Sequence, residues 1–457
     1  MTSWHQETIA GWGRSRVSVT HAGDPRRVEE LPDYVAERKH LVARGLGRSY
    51  GDASLNTGQA VVRMESVDRA VEFDREQGRI VCEAGMSLDD LITITLPSGW
   101  FPAVTPGTRY VSVGGCIASD VHGKNHHVAG TFSQHVNWVE LLTADGSIVR
   151  CSAEDNADLF HATAGGMGLT GIIVRACLQL QKVDSSYLMV RRERTLTLQD
   201  TMRALVEGDR EWDATVAWLD GVAPETRMGR GEVILGRHIG RDELPERLAY
   251  NPFRSLDEPL VDLPVDMPFS MVHRSVVRAF NQFRFSRIQE GDSFENVRQF
   301  YYPLDVAQGW NRLYGPHGFH QYQFVIGDDD AESLIGDLLY RFHRSGLVAS
   351  LVVLKRFGAE SGWLSFPKPG WTLAVDTPSN MRLFELLEEF DERIVADGGR
   401  IYLAKDSRLA PDRFRRMYPE YANKWLDVKR KYDPECRFSS DLSRRLRIDD
   451  DVLGDGA

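Results

Sequence analysis

Cysteine is scarce in this sequence, and the little there is has no pattern. Cys82, Cys116, Cys151, Cys177 and Cys436 are scattered through 457 residues, odd in number and without CxxC spacing. That fits reduced thiols; it fits neither a disulfide framework nor a zinc or iron–sulfur site, so no metal is expected. No run of 18 apolar residues occurs, so no membrane span is expected. The opening MTSWHQETIAGWGRS has no basic stretch followed by an apolar one, and no secretory signal is expected. Positive charge is in deficit. Lys and Arg number 55 against 66 Asp and Glu, and a net charge of −11 argues against a general nucleic-acid binder. Low-complexity tracts, internal repeats and the P-loop GxxxxGK[ST] are missing too. At 42% hydrophobic and 26% charged, the chain reads as globular and long enough for two domains.

Glycine is concentrated where a ligand would need it. Residues 103–130, AVTPGTRYVSVGGCIASDVHGKNHHVAG, open on the turn Pro106-Gly107 and pass through Gly114-Gly115, Ala118 and Ser119. They close on His122-Gly123-Lys124-Asn125-His126-His127. Glycine lets backbone approach a ligand, and successive free N–H groups cradle an anion. Val113 to Asp120 is expected as a short helix with its N-terminus toward such a ligand, suited to a pyrophosphate. Residues 42–52, VARGLGRSYGD, add Gly45, Gly47 and Gly51 at a spacing that is not GxGxxG. A third cluster is GGMGLTG at 165–171. Each alone reads equally well as an ordinary turn; the set points to a long phosphate-bearing cofactor lying across backbone.

Along the chain, residues 24–38 read as a helix that Pro32 breaks or kinks. Strands are expected at His40–Ala43, Ala60–Met64, Ala70–Phe73 and Arg79–Glu83, then a Ser-capped helix from Ser87. Val136–Leu142 and Ser147–Cys151 form a hairpin around Asp145-Gly146, and Thr170–Val183 is a β-branched strand. Short strands, short helices and hairpins indicate α+β rather than a doubly wound parallel sheet. From about 184 the texture becomes charged, with a helix expected at 197–209. In 263–290, Arg274, Arg278, Arg284 and Arg287 interleave with Phe269, Phe280, Phe283 and Phe285. Two readings are open: a basic, aromatic surface for an anionic lipid membrane, or a solvated helix with a buried aromatic side. Residues 318–327 alternate as a strand with Gln321 and Gln323 on one face. Further strands are expected at 348–357, which carries Lys355, at Phe366–Asp376 and at Arg400–Ala404, with a helix at 381–397 between the last two.

Seven stretches together resemble one enzyme family: ARGLGRSYGD, PGTRYVSVGGCIASDVHGKNHH, GGMGLTGII, FYYPLD, QYQFVI, SFPKPGW and AKDSR. The chain is similar, from about Gly11 to Leu446, to the flavin-dependent oxidase subunits of decaprenylphosphoryl-β-D-ribose 2′-epimerases, within the vanillyl-alcohol oxidase type of FAD enzyme. The resemblance implies an α+β fold. Its FAD-binding domain would be made of residues 1–183 and 400–457, and a substrate domain at 184–399 would be built on an antiparallel sheet. It implies non-covalent FAD, since Arg48 stands where wider relatives carry a flavin-linked histidine. The implied reaction oxidises the ribose 2′-hydroxyl of a polyprenyl-phosphoryl pentose to a keto sugar. A separate NAD(P)H-dependent keto-reductase then yields the arabinose epimer for cell-wall arabinan. The rival is an oxidase of the same fold acting on a soluble sugar, alditol, aldonolactone or nucleoside. The free thiols and missing signal point to the cytoplasm or its membrane face, with the outer face left open.

By the same resemblance Lys405, Tyr50 and His122 are catalytic candidates. Read from the sequence alone, Lys405 is more readily a surface lysine after a strand, Tyr50 a packing ring over the cofactor and His122 a hydrogen-bonded structural histidine. Cofactor contacts are implied at Arg44, Gly45, Leu46, Gly47, Arg48, Ser49, Gly107, Thr108, Gly114, Gly115, Ala118, Ser119, Gly123, Asn125, Gly168, Ile172 and Tyr402. The sugar-phosphate pocket is implied at Lys124, Trp218, Tyr301, Gln321, Gln323 and Lys355, with the two lysines as charge partners and the glutamines as hydroxyl readers. Thr372-Leu373-Ala374 departs from the Asn-Ile-Cys of mycobacterial members. The cysteine that nitroaromatic inhibitors modify there is therefore missing.

Overall fold

The computed structural model describes residues 2–254 and 261–454. Its first sheet joins a hairpin, β1 (Trp4–Ala10) and β2 (Val17–Gly23), to the parallel pair β3 (Leu41–Arg44) and β4 (Ala60–Arg63), in the order β1-β2-β4-β3. The second holds β5 (Ala70–Asp74), β6 (Arg79–Glu83), β7 (Trp100–Pro102), β8 (Val136–Leu142), β9 (Ile148–Cys151) and β10 (Ile172–Lys182). Its order is β5-β6-β10-β8-β9, with β7 on β10. The remaining strands are β11 (Tyr187–Thr195), β12 (Ala214–Leu219), β13 (Gly231–His238), β14 (Val261–Asp262), β15 (Gly291–Asn296), β16 (Ala307–Gln308), β17 (Phe319–Ile326), β18 (Leu351–Phe357), β19 (Gly370–Pro378) and β20 (Arg400–Ile401). Eight of these form one antiparallel sheet, β15-β11-β13-β12-β18-β19-β17-β20, while β14 and β16 pair separately. The α+β class with antiparallel sheets is as expected.

Local chemistry explains most of the elements. The Ser87 hydroxyl accepts the Asp90 N–H at 3.0 Å and caps the helix Leu88–Thr95. Pro32 does not break a helix over 24–38. A 3-10 turn at Val28–Glu30 leads into the helix Leu31–Glu37, and the proline sits in its first turn, where its missing N–H costs nothing. The hairpin β1–β2 was not anticipated, because its residues are polar and half-exposed. The charged texture after 184 also hides strands. Arg191 pairs with Asp292, and Arg192 with Glu232 and Glu295, so the polar faces of β11, β13 and β15 are satisfied across the sheet.

The end of the chain returns to its beginning. Leu41 N–H donates to the Arg437 carbonyl and Ser439 N–H to the Leu41 carbonyl. Lys429 is fully buried, its ammonium held by Asp433 at 2.5 Å and by the carbonyls of Leu169 and Phe438. The strand expected at Arg400–Ala404 is only Arg400–Ile401, which still pairs with β17; Tyr402 onward turns back toward the first sheet.

Candidate active site

A cavity of about 1160 Å³ lies between the glycine-rich loops and the large sheet. It is larger than most ligand pockets, which run from about 300 to 1,000 Å³. One wall is backbone: residues 43–50, Pro106–Thr108, Val111–Ser112, Gly114–Cys116, Ala118–Ser119 and Met167–Gly168. The N–H groups of Leu46, Gly47, Arg48, Ser49, Gly107 and Thr108 find no backbone acceptor among the described residues. A Cβ at Gly107 would meet nothing within 4 Å, so that backbone fronts open space. Gly47 is left-handed at φ 64°, which favours glycine. Arg48 stacks 4.1 Å over Trp12, and its buried Nε has no partner among the described residues. Free N–H groups, an unpartnered guanidinium nitrogen and this volume fit a dinucleotide with a pyrophosphate.

The facing wall is made of side chains set by strand register. Gln321 is opposite Asp376, Gln323 opposite Ala374, and Lys355 opposite Thr372, so these residues share one face of β17, β19 and β18. Tyr322, on the other face, donates to Asp391 beneath the helix Met381–Ala396. Gln321 donates to the Asp376 carboxylate at 2.5 Å. His122 has Gln323 Nε2 at 3.2 Å from its Nε2 and Lys355 Nζ at 3.3 Å from its Nδ1. Lys405 follows β20 on a turn closed by its N–H to the Tyr402 carbonyl, and its ammonium lies 3.6 Å from the centre of the Tyr50 ring. Tyr50 N–H donates to the Ala404 carbonyl, so the two loops are locked together. At Gly51 a Cβ would run into the Asp406 carbonyl.

Burial dominates the electrostatics. It lowers the Lys405 amine; the carboxylate of Asp376 opposes that shift and the charge of Lys355 adds to it. Burial raises the Asp376 carboxyl against the Gln321 hydrogen bond and the Lys405 charge. It pushes Lys355 down to about 8. His122 falls well below the ordinary imidazole value, by burial first and then by the charge of Lys355, so its ring is neutral near pH 7.

Most sequence-predicted residues meet on this cavity. Arg44 through Tyr50, Gly107, Thr108, Gly114, Gly115, Ala118, Ser119, His122, Gly168, Gln321, Gln323, Lys355, Tyr402 and Lys405 all line it. Arg44 is there in shape alone, since its guanidinium is bound to the Ala10 carbonyl and to Ser54. Six expected residues are off the wall. Ile172 is in the core of β10, and Asn125 donates to the Ala103 carbonyl. Gly123 packs against Thr105. The Lys124 ammonium donates to the Phe300 carbonyl, 4.4 Å over that ring, with its pKa pushed by burial to about 7. Tyr301 stacks on Phe101 and bonds His238. Trp218, opposite the wall residue Val353, is covered by Arg284 at 4.2 Å and by Phe285 and Ile288. Sequence reasoning missed Asp376, which carries no local signal and stood only as the end of an expected strand. It also missed Trp12, Tyr110 and Asp305.

Residues 19–152 match the family described as FAD binding domain. The chain is 37% identical over 449 residues to a decaprenylphosphoryl-β-D-ribose oxidase of Mycolicibacterium smegmatis, covering 96% of this chain and 97% of that one. It is 36% identical to an uncharacterised protein of Streptomyces coelicolor, over 79% of this chain and all of that one. L-gulonolactone oxidase of Mus musculus is 30% identical over 35% of this chain and 36% of its own. The protein is an FAD-dependent oxidoreductase of the vanillyl-alcohol oxidase/p-cresol methylhydroxylase class. Within that class it belongs to the decaprenylphosphoryl-β-D-ribose oxidase family.

Proposed function

We propose that the protein oxidises the 2′-hydroxyl of a polyprenyl-phosphoryl β-D-ribofuranose to the 2′-ketone. A separate NAD(P)H-dependent keto-reductase then reduces the product to the arabinose epimer used in cell-wall arabinan. The observation that carries this reading is Lys405. Its buried amine lies against Tyr50, on the cavity that the N–H cradle also lines. The N–H groups of residues 46–49, 107 and 108, with Arg48, would hold the cofactor's phosphates. FAD, when bound, supplies the two-electron acceptor for the hydride that leaves C2′.

The chain's own residues supply the rest. The Lys405 amine, lowered by burial, accepts the hydroxyl proton, and Asp376 is the counter-charge for the ammonium that results. Gln321 and Gln323 read sugar hydroxyls from adjacent positions on one strand face. Lys355 meets the substrate phosphate, and neutral His122, bonded to it, sets where that ammonium points. Tyr402 donates to the Ser119 carbonyl and stacks on Phe366, bracing the wall behind His122. Lys124 donates instead to the Phe300 carbonyl, so this reading gives the phosphate to Lys355. The flavin would be held without a covalent bond, since Arg48 stands where wider relatives carry the flavin-linked histidine. Acid precipitation should leave it in the supernatant.

The direct test is the visible spectrum of the protein under anaerobic conditions. Farnesyl-phosphoryl ribose should bleach the flavin bands, while free ribose and xylitol should not. Bleaching by free sugars would replace this substrate with a soluble one.

A further inference from the structure

The mouth of the cavity has an unusual border. Asp262, Pro264 and Asp266 line the cavity, and they belong to a segment that runs along the outside of the molecule. Backbone bonds tie this segment down: Val261 to Val306, Leu263 to Gln308 and Met271 to Leu313. Asp266 adds a bidentate pair with Arg14 at 2.5 Å and a second cation, Arg312, at 3.4 Å. Past this anchor the segment turns its apolar side chains outward. Val265, Phe269 and Met271 are exposed, Phe269 to 62%.

The helix Arg274–Ser286 continues the same surface. Its inner row is Val277, Asn281 and Phe285, with Asn281 bonded to buried Asp220. Its outer side carries Val276, Phe280 and Phe283, the two rings 62% and 60% exposed. Residues four and three apart share a helix face, so these three form one stripe. Two cations stand beside it. Arg278 has no acidic partner among the described residues, and Arg287 lies over Phe283 at 5.2 Å, also without one. No carboxylate occurs between Asp266 and Glu290, in a protein whose net charge is −11. Exposed aromatic and aliphatic side chains with unpaired arginines match the acyl boundary and phosphates of an anionic bilayer. Free solvent offers no reason to expose three phenylalanines, and large exposed apolar patches mark interaction surfaces.

We propose that Val265, Phe269, Met271, Val276, Phe280 and Phe283, with Arg278 and Arg287, dock the protein on an anionic lipid bilayer with the cavity mouth facing the membrane. This rests on the lipid-phosphate substrate proposed above, whose polyprenyl tail would then stay in the membrane while its sugar enters the cavity. The test uses the FAD-loaded full chain and vesicles of phosphatidylcholine, with or without phosphatidylglycerol. Sedimentation should find it on the mixed vesicles and far less on the neutral ones. Phe280→Asp/Phe283→Asp should cut binding ~10-fold or more, and Arg278→Glu/Arg287→Glu should lose ~5-fold or more per arginine. Val17→Asp, at a similarly exposed position on β2, should change nothing. All variants should oxidise soluble farnesyl-phosphoryl ribose at the parent rate and lose turnover on long-chain substrate embedded in vesicles.

No vesicle binding, or binding that both double variants keep, would overturn the proposal. So would loss, in the variants, only of binding to the keto-reductase, which would make this a protein interface. Vesicle binding without oxidation of the soluble analogue would retain the docking surface and remove the proposed substrate.

Discussion

The two walls of the cavity are built from different material. The loops around Arg44–Tyr50 and Pro106–Ser119 present backbone, and what they offer is N–H groups and the absence of side chains. The face of β17, β18 and β19 presents functional groups: two amides, an amine, a hydroxyl and, behind them, a carboxylate. A backbone wall recognises phosphates, which many ligands carry. A side-chain wall recognises one substrate and its chemistry. The comparison assigns cofactor retention to the first wall and rate to the second, and each assignment can be broken separately.

The largest effect is expected from Lys405→Ala. It should keep its yellow FAD spectrum and lose ~10²–10⁴ in the rate of anaerobic flavin reduction, the usual contribution of a proton-transfer group. Near-normal reduction would remove Lys405 from the chemistry. Gly47→Val should do the reverse. Its φ of 64° resists a β-branched residue, and a Cβ there meets the Arg44 guanidinium. A strain on the order of 1–3 kcal/mol should cost about 5- to 150-fold in FAD affinity by titration of the apoprotein. A variant that binds FAD normally would show that the loop yields.

Smaller effects sharpen the side-chain wall. Asp376 raises the Lys405 amine, so Asp376→Asn should lower it. Because a base works in its deprotonated form, the acid limb of kcat/KM should move to lower pH. Lys355 acts in the opposite sense, so Lys355→Met should move that limb upward. A pH profile that ignores both would disconnect the trio. The smallest expected effect is none: with Ala374 on the wall in place of a cysteine, nitroaromatic inhibitors should leave no mass shift after denaturation. A retained adduct would mean that one of the buried thiols is reachable.

The same contrast explains what could be read in the sequence. The backbone wall was legible from Gly45, Gly47, Gly107 and Gly114, because a need for bare backbone is written locally, in the residue type itself. Gln321 and Gln323 were legible as neighbours on one strand face, since alternation is local too. Their partners were not. Asp376 meets Gln321 only through the register of β17 on β19, and Lys355 of β18 meets His122 only because a distant loop packs on that sheet; nothing around either residue announces the pairing. Resemblance filled part of that gap by singling out Lys405, which lines the cavity. It also carried over Trp218 and Tyr301, which here are covered by Arg284 and stacked on Phe101. The charged stretch 187–195 concealed β11 for a related reason: its arginines are neutralised by residues 40 to 103 positions away.

The closure of the two chain ends bears on biosynthesis. His40 meets the Cys436 carbonyl across 396 residues, and β3, which leads into the cradle, is flanked by Arg437 and Ser439. A nascent chain on the ribosome therefore makes the glycine loops early and cannot finish the element that supports them until residues 437–439 have emerged. Contacts so distant in sequence form slowly. Flavin capture should therefore wait for residues 437–439, and a ribosome stalled before residue 430 should display a chain with most of its sheets and no competence to take up colour.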